Sequence, residues 1–383
     1  MDGIMDKLVE STKALHGRRY LSHKFCYDVE QNSIIEYDPE REVKWRDYGE
    51  TEHITHPKDL TDLLHQISGQ PSWFRYFLDG SRHTYKVDDM AFKNDVYPIL
   101  AGQVGISCCR RDDRKMAQEF FNRSLVVVVP NKALKSEFDK RTEAQKLCQK
   151  INESERLTKL GLKIDNVLSY DLSTDEKYDK KGISKIQDYM VEQEKDAVIK
   201  LVKQQKLKQK SYLIKDGSLE YKAVKEQKWN LSEAKMRLNY EYVIGVSKSF
   251  DPTKCFVKGG KTNSSIIAEL RQNERTPACC YDSEISGAGV SFCVWYLRLR
   301  NSFYTQNVFD GIIKVEKIIQ DSEKATGVDS QLIDLISAHL LRERNPVCYG
   351  RDSRWANHLY PIYVAEQYAK AKYMSNNLFL SLF

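Results

Sequence analysis

The 383-residue sequence has no run near the roughly 18 consecutive apolar residues that a membrane-spanning helix needs. Its N-terminus, "MDGIMDKLVESTKALHGRRY", is charged throughout and lacks the apolar core of a secretory signal, so a cytoplasmic protein is expected. There is no C-x-x-C and no Cys/His spacing suited to zinc, and the nine cysteines fall into no framework. Reduced, mostly buried thiols are expected instead. "KGGKT", Lys258 to Thr262, falls short of a phosphate-binding loop because Cys255 stands where the first glycine is needed. The eight histidines show no pairing at metal spacing. No excess of one charge commands a polyanionic partner, since the net charge of +6 only permits one.

What is present reads as an α/β protein. A composition 41% hydrophobic and 30% charged is that of a folded chain rather than a disordered one. Residues 1–68 read as an N-terminal extension: a short amphipathic helix, an arm or hairpin over "DVEQNSIIEYDPEREVKWRDYG", and a helix in "PKDLTDLLHQIS". From residue 69 strand patterns take over: "WFRYFLDG", "HTYKVDDMAF", "YPILAGQVGISCCRR" and "SLVVVVP". Residues 131–180 form a charged helical insertion that closes on a loop, "STDEKYDKKG". A long helix, "ISKIQDYMVEQEKDAVIKLVKQQKLKQK", then leads into the strand "SYLIKDG". Further on come a helix, the strand "YVIGVSKS", a strand pair near "GVSFCVWYLRL", and two terminal helices. Strands followed by alternating helices and strands favour a mixed sheet flanked by helices.

Two Asp-Gly-Ser segments carry the chemistry. Asp79 closes one apolar run and Asp216 another, and a single Asp-Gly after a strand is ordinarily a hairpin turn. Between them lies the long helix, with a stripe of Ile186, Met190, Val191, Val198, Leu201 and Val202. Glu194 falls inside that stripe, and Glu192 is its rival. An acid on a buried helix face is costly without a cation beside it. Three carboxylates meeting at strand ends would repel one another. A hard divalent cation, Mg²⁺ or Mn²⁺, removes that conflict, and two such ions can direct water at a phosphodiester. On this reading each Gly admits close approach of backbone and phosphate.

The order "FLDGS", a helix with an inward Glu, "LIKDGSL", "VIGVSKS", "VWYLRL" and "YPIYVAEQYAK" resembles the NurA nuclease family, over roughly Trp73 to Lys372. The resemblance implies an RNase H-like, Mn²⁺-dependent (or Mg²⁺-dependent), dimeric nuclease. Such a protein degrades DNA with 5′-to-3′ polarity alongside a HerA-type hexameric ATPase, in end resection or phage defence. It implies Asp79, Glu194 and Asp216 as metal ligands and Lys248 near the scissile phosphate, with Ser81, Tyr360 and Tyr368 toward DNA. The family pattern departs at the last helix. Tyr368 stands where many relatives carry His or Asp, so either Glu366 supplies a fourth ligand or three carboxylates suffice. Two other readings stay open: a docking subunit for the ATPase ring, and a nuclease acting on RNA or hybrids.

Overall fold

In the computed structural model the described residues are 3–20, 25–26, 44–46, 49–135, 139–172, 177–220, 233–252, 256–257, 261–262, 264–283, 290–305, 308–344, 346 and 353–383. The apolar alternation after Trp73 builds three long antiparallel strands, β1 (Phe74–Phe92), β2 (Asp95–Asp112) and β3 (Lys115–Pro130). They continue into β4 (Asn166–Tyr170), β5 (Tyr212–Asp216), β6 (Val243–Ser247), β7 (Cys279–Asp282), β8 (Ser291–Arg298) and β9 (Ile312–Ile318). The strands lie in the order β7-β8-β9-β6-β5-β1-β2-β3-β4. β5 and β6 run parallel to each other and β5 runs parallel to β1; the neighbours to either side, β2 and β9, are antiparallel to these three.

Helices cover both faces. Helix α1 (Ile4–Thr12) and helix α2 (Lys140–Asn152) pack with the meander, where Ile4, Met5 and Leu8 join Tyr85, Phe92, Leu147 and Ile151. Helix α3 (Tyr178–Lys203) lays Ile186, Met190, Val198 and Leu201 against Leu78, Leu100, Val126 and Leu213 on one face. Helices α4 (Ser330–Leu341) and α5 (Tyr360–Lys370) lay Ile333, Leu340, Ile362 and Ala365 against Phe77, Ile214, Val246 and Val315 on the other. Successive strand residues point to opposite faces, which is why Phe77 and Leu78 belong to different cores. The result is a three-layer α/β sandwich.

Several expectations are revised. "FLDG" and "HTYKVDDMAF" are one 19-residue strand: Asp79, Gly80 and Ser81 pair with Ser107, Ile106 and Gly105 without a turn. Asp79 therefore ends only the pairing between β1 and β5, which stops at Leu78↔Lys215. In residues 131–180 the helices are joined by a strand, β4, that pairs parallel with β3 at the sheet's edge. The expected loop at "STDEKYDKKG" gives way to α3 from Tyr178, while residues 173–176 lie outside the described residues. The strand pair expected near "GVSFCVWYLRL" is there: β8 runs through it, antiparallel to β7 and β9. Most of the expected arm over residues 28–49, and residues 258–260 of "KGGKT", also lie outside the described residues. Among the described residues no helix is long and apolar enough to cross a membrane.

Candidate active site

Strands β5 and β6 deliver polar side chains at their carboxyl ends, the edge at which open α/β sheets expose a crevice, and β1 delivers one where its pairing with β5 stops. Asp79 stands one residue past the last β1–β5 pair, Asp216 ends β5, and Lys248 follows β6. By alternation all three share the face of Phe77, Ile214 and Val246, which α5 covers and onto which it turns Glu366. Lys248 Nζ lies 3.0 Å from Asp216 Oδ2 and 3.7 Å from Glu366 Oε2. Glu366 is also 2.7 Å from Lys370, one helical turn on. Asn357 steadies the lysine's backbone by donating from Nδ2 to the Lys248 carbonyl at 2.8 Å.

Asp79 is the group left over. It is 4% exposed, and among the described residues its carboxylate has no hydrogen-bond or ion-pair partner. Burial pushes its carboxyl well above the ordinary 3.8, and the charge of Asp216 pushes it further, with Glu366 and Glu194 adding to both against Lys248. Burial works against the charge of Lys248, but Asp216, Glu366 and Asp79 outweigh it and hold the ammonium firmly protonated. Burial likewise disfavours ionised Glu366, yet Lys248 and Lys370 bring its carboxyl below its usual range.

Glu194 reaches the same strand ends from the opposite face. It is 3% exposed and pairs with the equally buried Lys215, whose Nζ lies 3.0 Å from its Oε2. Lys215 also donates to the carbonyls of Asp216 (2.7 Å) and Ser218 (3.3 Å), so it clips the second Asp-Gly-Ser turn to the helix. Burial raises the Glu194 carboxyl, while Lys215 and the Gly80 amide pull it down. Glu192 faces elsewhere and pairs with Lys195 at 2.9 Å.

The two glycines do different jobs. Gly217 has φ +81°, the left-handed region in which a Cβ is strained, and its N–H closes onto Val246 O at 2.8 Å. Gly80 sits in ordinary strand, but a Cβ there would overlap Glu194 Oε1 and lie 3.0 Å from its Cγ and Cδ. Gly80→Ala is therefore expected to push Glu194 off Lys215 and to lower the melting temperature by several degrees, about 1–3 kcal/mol for overpacking. Differential scanning calorimetry checks this, and a Gly80→Ala protein as stable as wild type would show that the helix yields freely.

The structure thus brings together Asp79, Asp216, Lys248 and Glu366 on one face, with Glu194 behind them. Ser81 lies two residues along from Asp79 on the same side, and its Oγ is 2.6 Å from the Tyr373 hydroxyl. Tyr360 and Tyr368 are 40% and 36% exposed on the outer side of α5. Sequence reasoning passed over Lys215, Asn357 and Tyr373. Only Lys215 carried a signal: a lysine in a strand otherwise apolar enough for the middle of a parallel sheet.

Among the described residues, no three or more His, Cys, Asp or Glu side chains are arranged as a metal-binding group. The Lys248 ammonium stands between Asp216 and Glu366 instead. The donor chemistry nevertheless fits a hard cation: carboxylate oxygens only, with the buried, unpartnered and charge-crowded Asp79 the group a cation would relieve.

Fold and site together define an α/β protein with a lysine-bridged acidic centre at the carboxyl ends of two parallel strands, beside the point where the third leaves their ladder. The chain is similar to the NurA nuclease from Sulfolobus solfataricus, known from a crystal structure, at a TM-score of 0.42 and 11% identity. That match covers 81% of this chain and 86% of that one. No family model matches the sequence, and no curated protein matches it. At that level the likeness fixes neither activity nor residue roles.

Proposed function

We propose that the chain is a metal-dependent DNA nuclease that hydrolyses phosphodiesters at the acidic centre. The observation that carries the proposal is the convergence of Asp79, Asp216, Lys248 and Glu366 on one face of the sheet, with Asp79 buried and without an ion-pair partner among the described residues. The order of motifs in the sequence supports it. So does a meander continued by two strands parallel to its first, the basis for an RNase H-like reading.

Asp79, Asp216 and Glu366 would hold Mn²⁺ or Mg²⁺, with Glu194 joining them where Lys215 gives way. A divalent cation bound there would polarise the phosphodiester and make attacking water acidic. Lys248 is placed to bear on a phosphate oxygen once it is drawn from Asp216. Glu194 and Lys215 hold the two Asp-Gly-Ser segments in register from behind. A 5′-to-3′ polarity, a homodimer and a HerA-type ATPase partner complete the proposal, on the sequence resemblance alone.

The test is cleavage of end-labelled DNA by the purified protein in EDTA, Mg²⁺ and Mn²⁺. Degradation only with a divalent ion is expected, with 5′- and 3′-labels reporting polarity and an RNA arm reporting substrate class. A second reading, a docking subunit of an ATPase ring, draws on the lysines that already neutralise Glu194, Asp216 and Glu366. No cleavage of any substrate, with or without the ATPase, would replace the first reading by the second.

A further inference from the structure

Apart from the acidic centre, a pocket of about 580 Å³ is lined by Arg300, Arg342 and Arg344 with Gln272, Asn301 and Leu341, and among the described residues no acid lines it. Backbone carbonyls hold two of its arginines, Arg342 and Arg344, in place. Arg342 donates to the carbonyls of Ile67 (3.0 Å), Gln70 (2.8 Å) and Ser68 (3.3 Å), which fixes its guanidinium. Arg344 donates from Nη1 to Leu299 O at 3.2 Å. Arg300 lies over Trp355, its Cζ 4.6 Å from the ring centroid.

Among the described residues neither Arg342 nor Arg344 pairs with a carboxylate, and Arg344 directs one of its five N–H donors to a carbonyl. A concave site with two preoriented guanidiniums that no described carboxylate pairs is built for an oxyanion.

The pocket's place in the fold indicates which anion. Arg344 bridges to Leu359, and the Tyr360 N–H donates to Glu343 O at 2.8 Å, so the pocket borders the first residue of α5. Glu366 is six residues further along that helix, roughly 9 Å at the α-helical rise. A strand lying along α5 would therefore span pocket and acidic centre within a few nucleotides. We propose that the Arg342–Arg344 pocket holds a backbone phosphate of the DNA strand whose scissile bond lies at the acidic centre. The proposal rests on the nuclease reading for its substrate, while its test reads binding alone.

The experiment measures anisotropy of a fluorescent 20-nucleotide single strand in EDTA, where no metal-dependent cleavage occurs, across a salt series. Arg344→Glu is expected to weaken binding about tenfold and to lower the salt slope by about one phosphate. Arg344→Lys is expected to keep most of the affinity. A dinucleotide, too short to reach the pocket, should bind wild type and Arg344→Glu alike.

A folded Arg344→Glu protein that binds the long strand as wild type does would overturn the proposal. So would a loss confined to a polyglutamate probe, which would assign the pocket to an acidic protein segment. Asp79→Asn, run in parallel, is expected to bind DNA and not to cut it. Should it still cut, the acidic centre loses its role, and the Arg344 result stands or falls on its own binding curve.

Discussion

Asp79→Asn is expected, on the nuclease proposal, to lose metal-stimulated DNA cleavage by on the order of a hundredfold, and yet to melt at a higher temperature than wild type. The second half follows from the electrostatics. Burial and the neighbouring Asp216 raise the Asp79 carboxyl well above its ordinary 3.8, so ionising it in the folded protein is uphill. With a folded-state pKa above the unfolded one, the folded protein holds the proton more tightly. The contribution to stability is then most favourable below about 3.8 and falls as pH rises through the folded pKa. The penalty grows as pH rises above about 3.8 toward the raised folded pKa, and an amide of the same shape removes it. The gap in melting temperature should close as pH falls toward 4 and widen as pH rises from there.

The same argument gives Asp216→Asn the opposite sign. Asp216 is the 3.0 Å partner of Lys248, and removing its charge leaves a largely buried ammonium with Glu366, at 3.7 Å, as its remaining ion-pair partner. Cleavage should again fall by about a hundredfold, but stability should fall with it. Matched activity losses with opposite shifts in melting temperature would mark Asp79 as the site's uncompensated charge. An Asp79→Asn protein that cleaves normally would remove Asp79 from the chemistry.

How much of this was legible in the sequence varies from element to element. The strand ending in Asp216, the inward side of the long helix and the helix opened by Tyr360 could be read from apolar spacing, because burial imposes a period on each. The continuous strand through Asp79 could not. Asp-Gly-Ser has the composition of a turn, and only the overlap of a Cβ with Glu194 shows that this glycine serves close packing in extended backbone. The choice between Glu192 and Glu194 depends on a rotation of about 200° around the helix, and Glu194 faces the sheet. The presence of Glu194 and Asp79 on opposite faces of the sheet was beyond sequence reasoning. It depends on the strand's register, which tertiary pairing decides. Strand β4 escaped notice because "NVLSY" is short and lies within a polar segment.

Lys215→Met is expected to cause the largest loss of stability of any single change at the site. The Glu194–Lys215 pair is buried on both sides, and removing one partner of such a pair costs about 3–5 kcal/mol because the other charge is left in the core. Two carbonyls of the second Asp-Gly-Ser turn lose their donor at the same time. Urea unfolding of Lys215→Met, Glu194→Gln and the double variant separates these parts. If the ion pair dominates, Lys215→Met falls far and the double variant recovers much of the loss, since no charge is stranded. If the carbonyl clip dominates, the double variant stays as weak as Lys215→Met, and Glu194→Gln alone costs little. The first outcome makes Glu194 a residue whose charge is matched from within, so that an entering cation must compete with Lys215 for it. The second leaves the Glu194 carboxylate available to metal and makes Lys215 the strut that sets Asp216 beside Asp79.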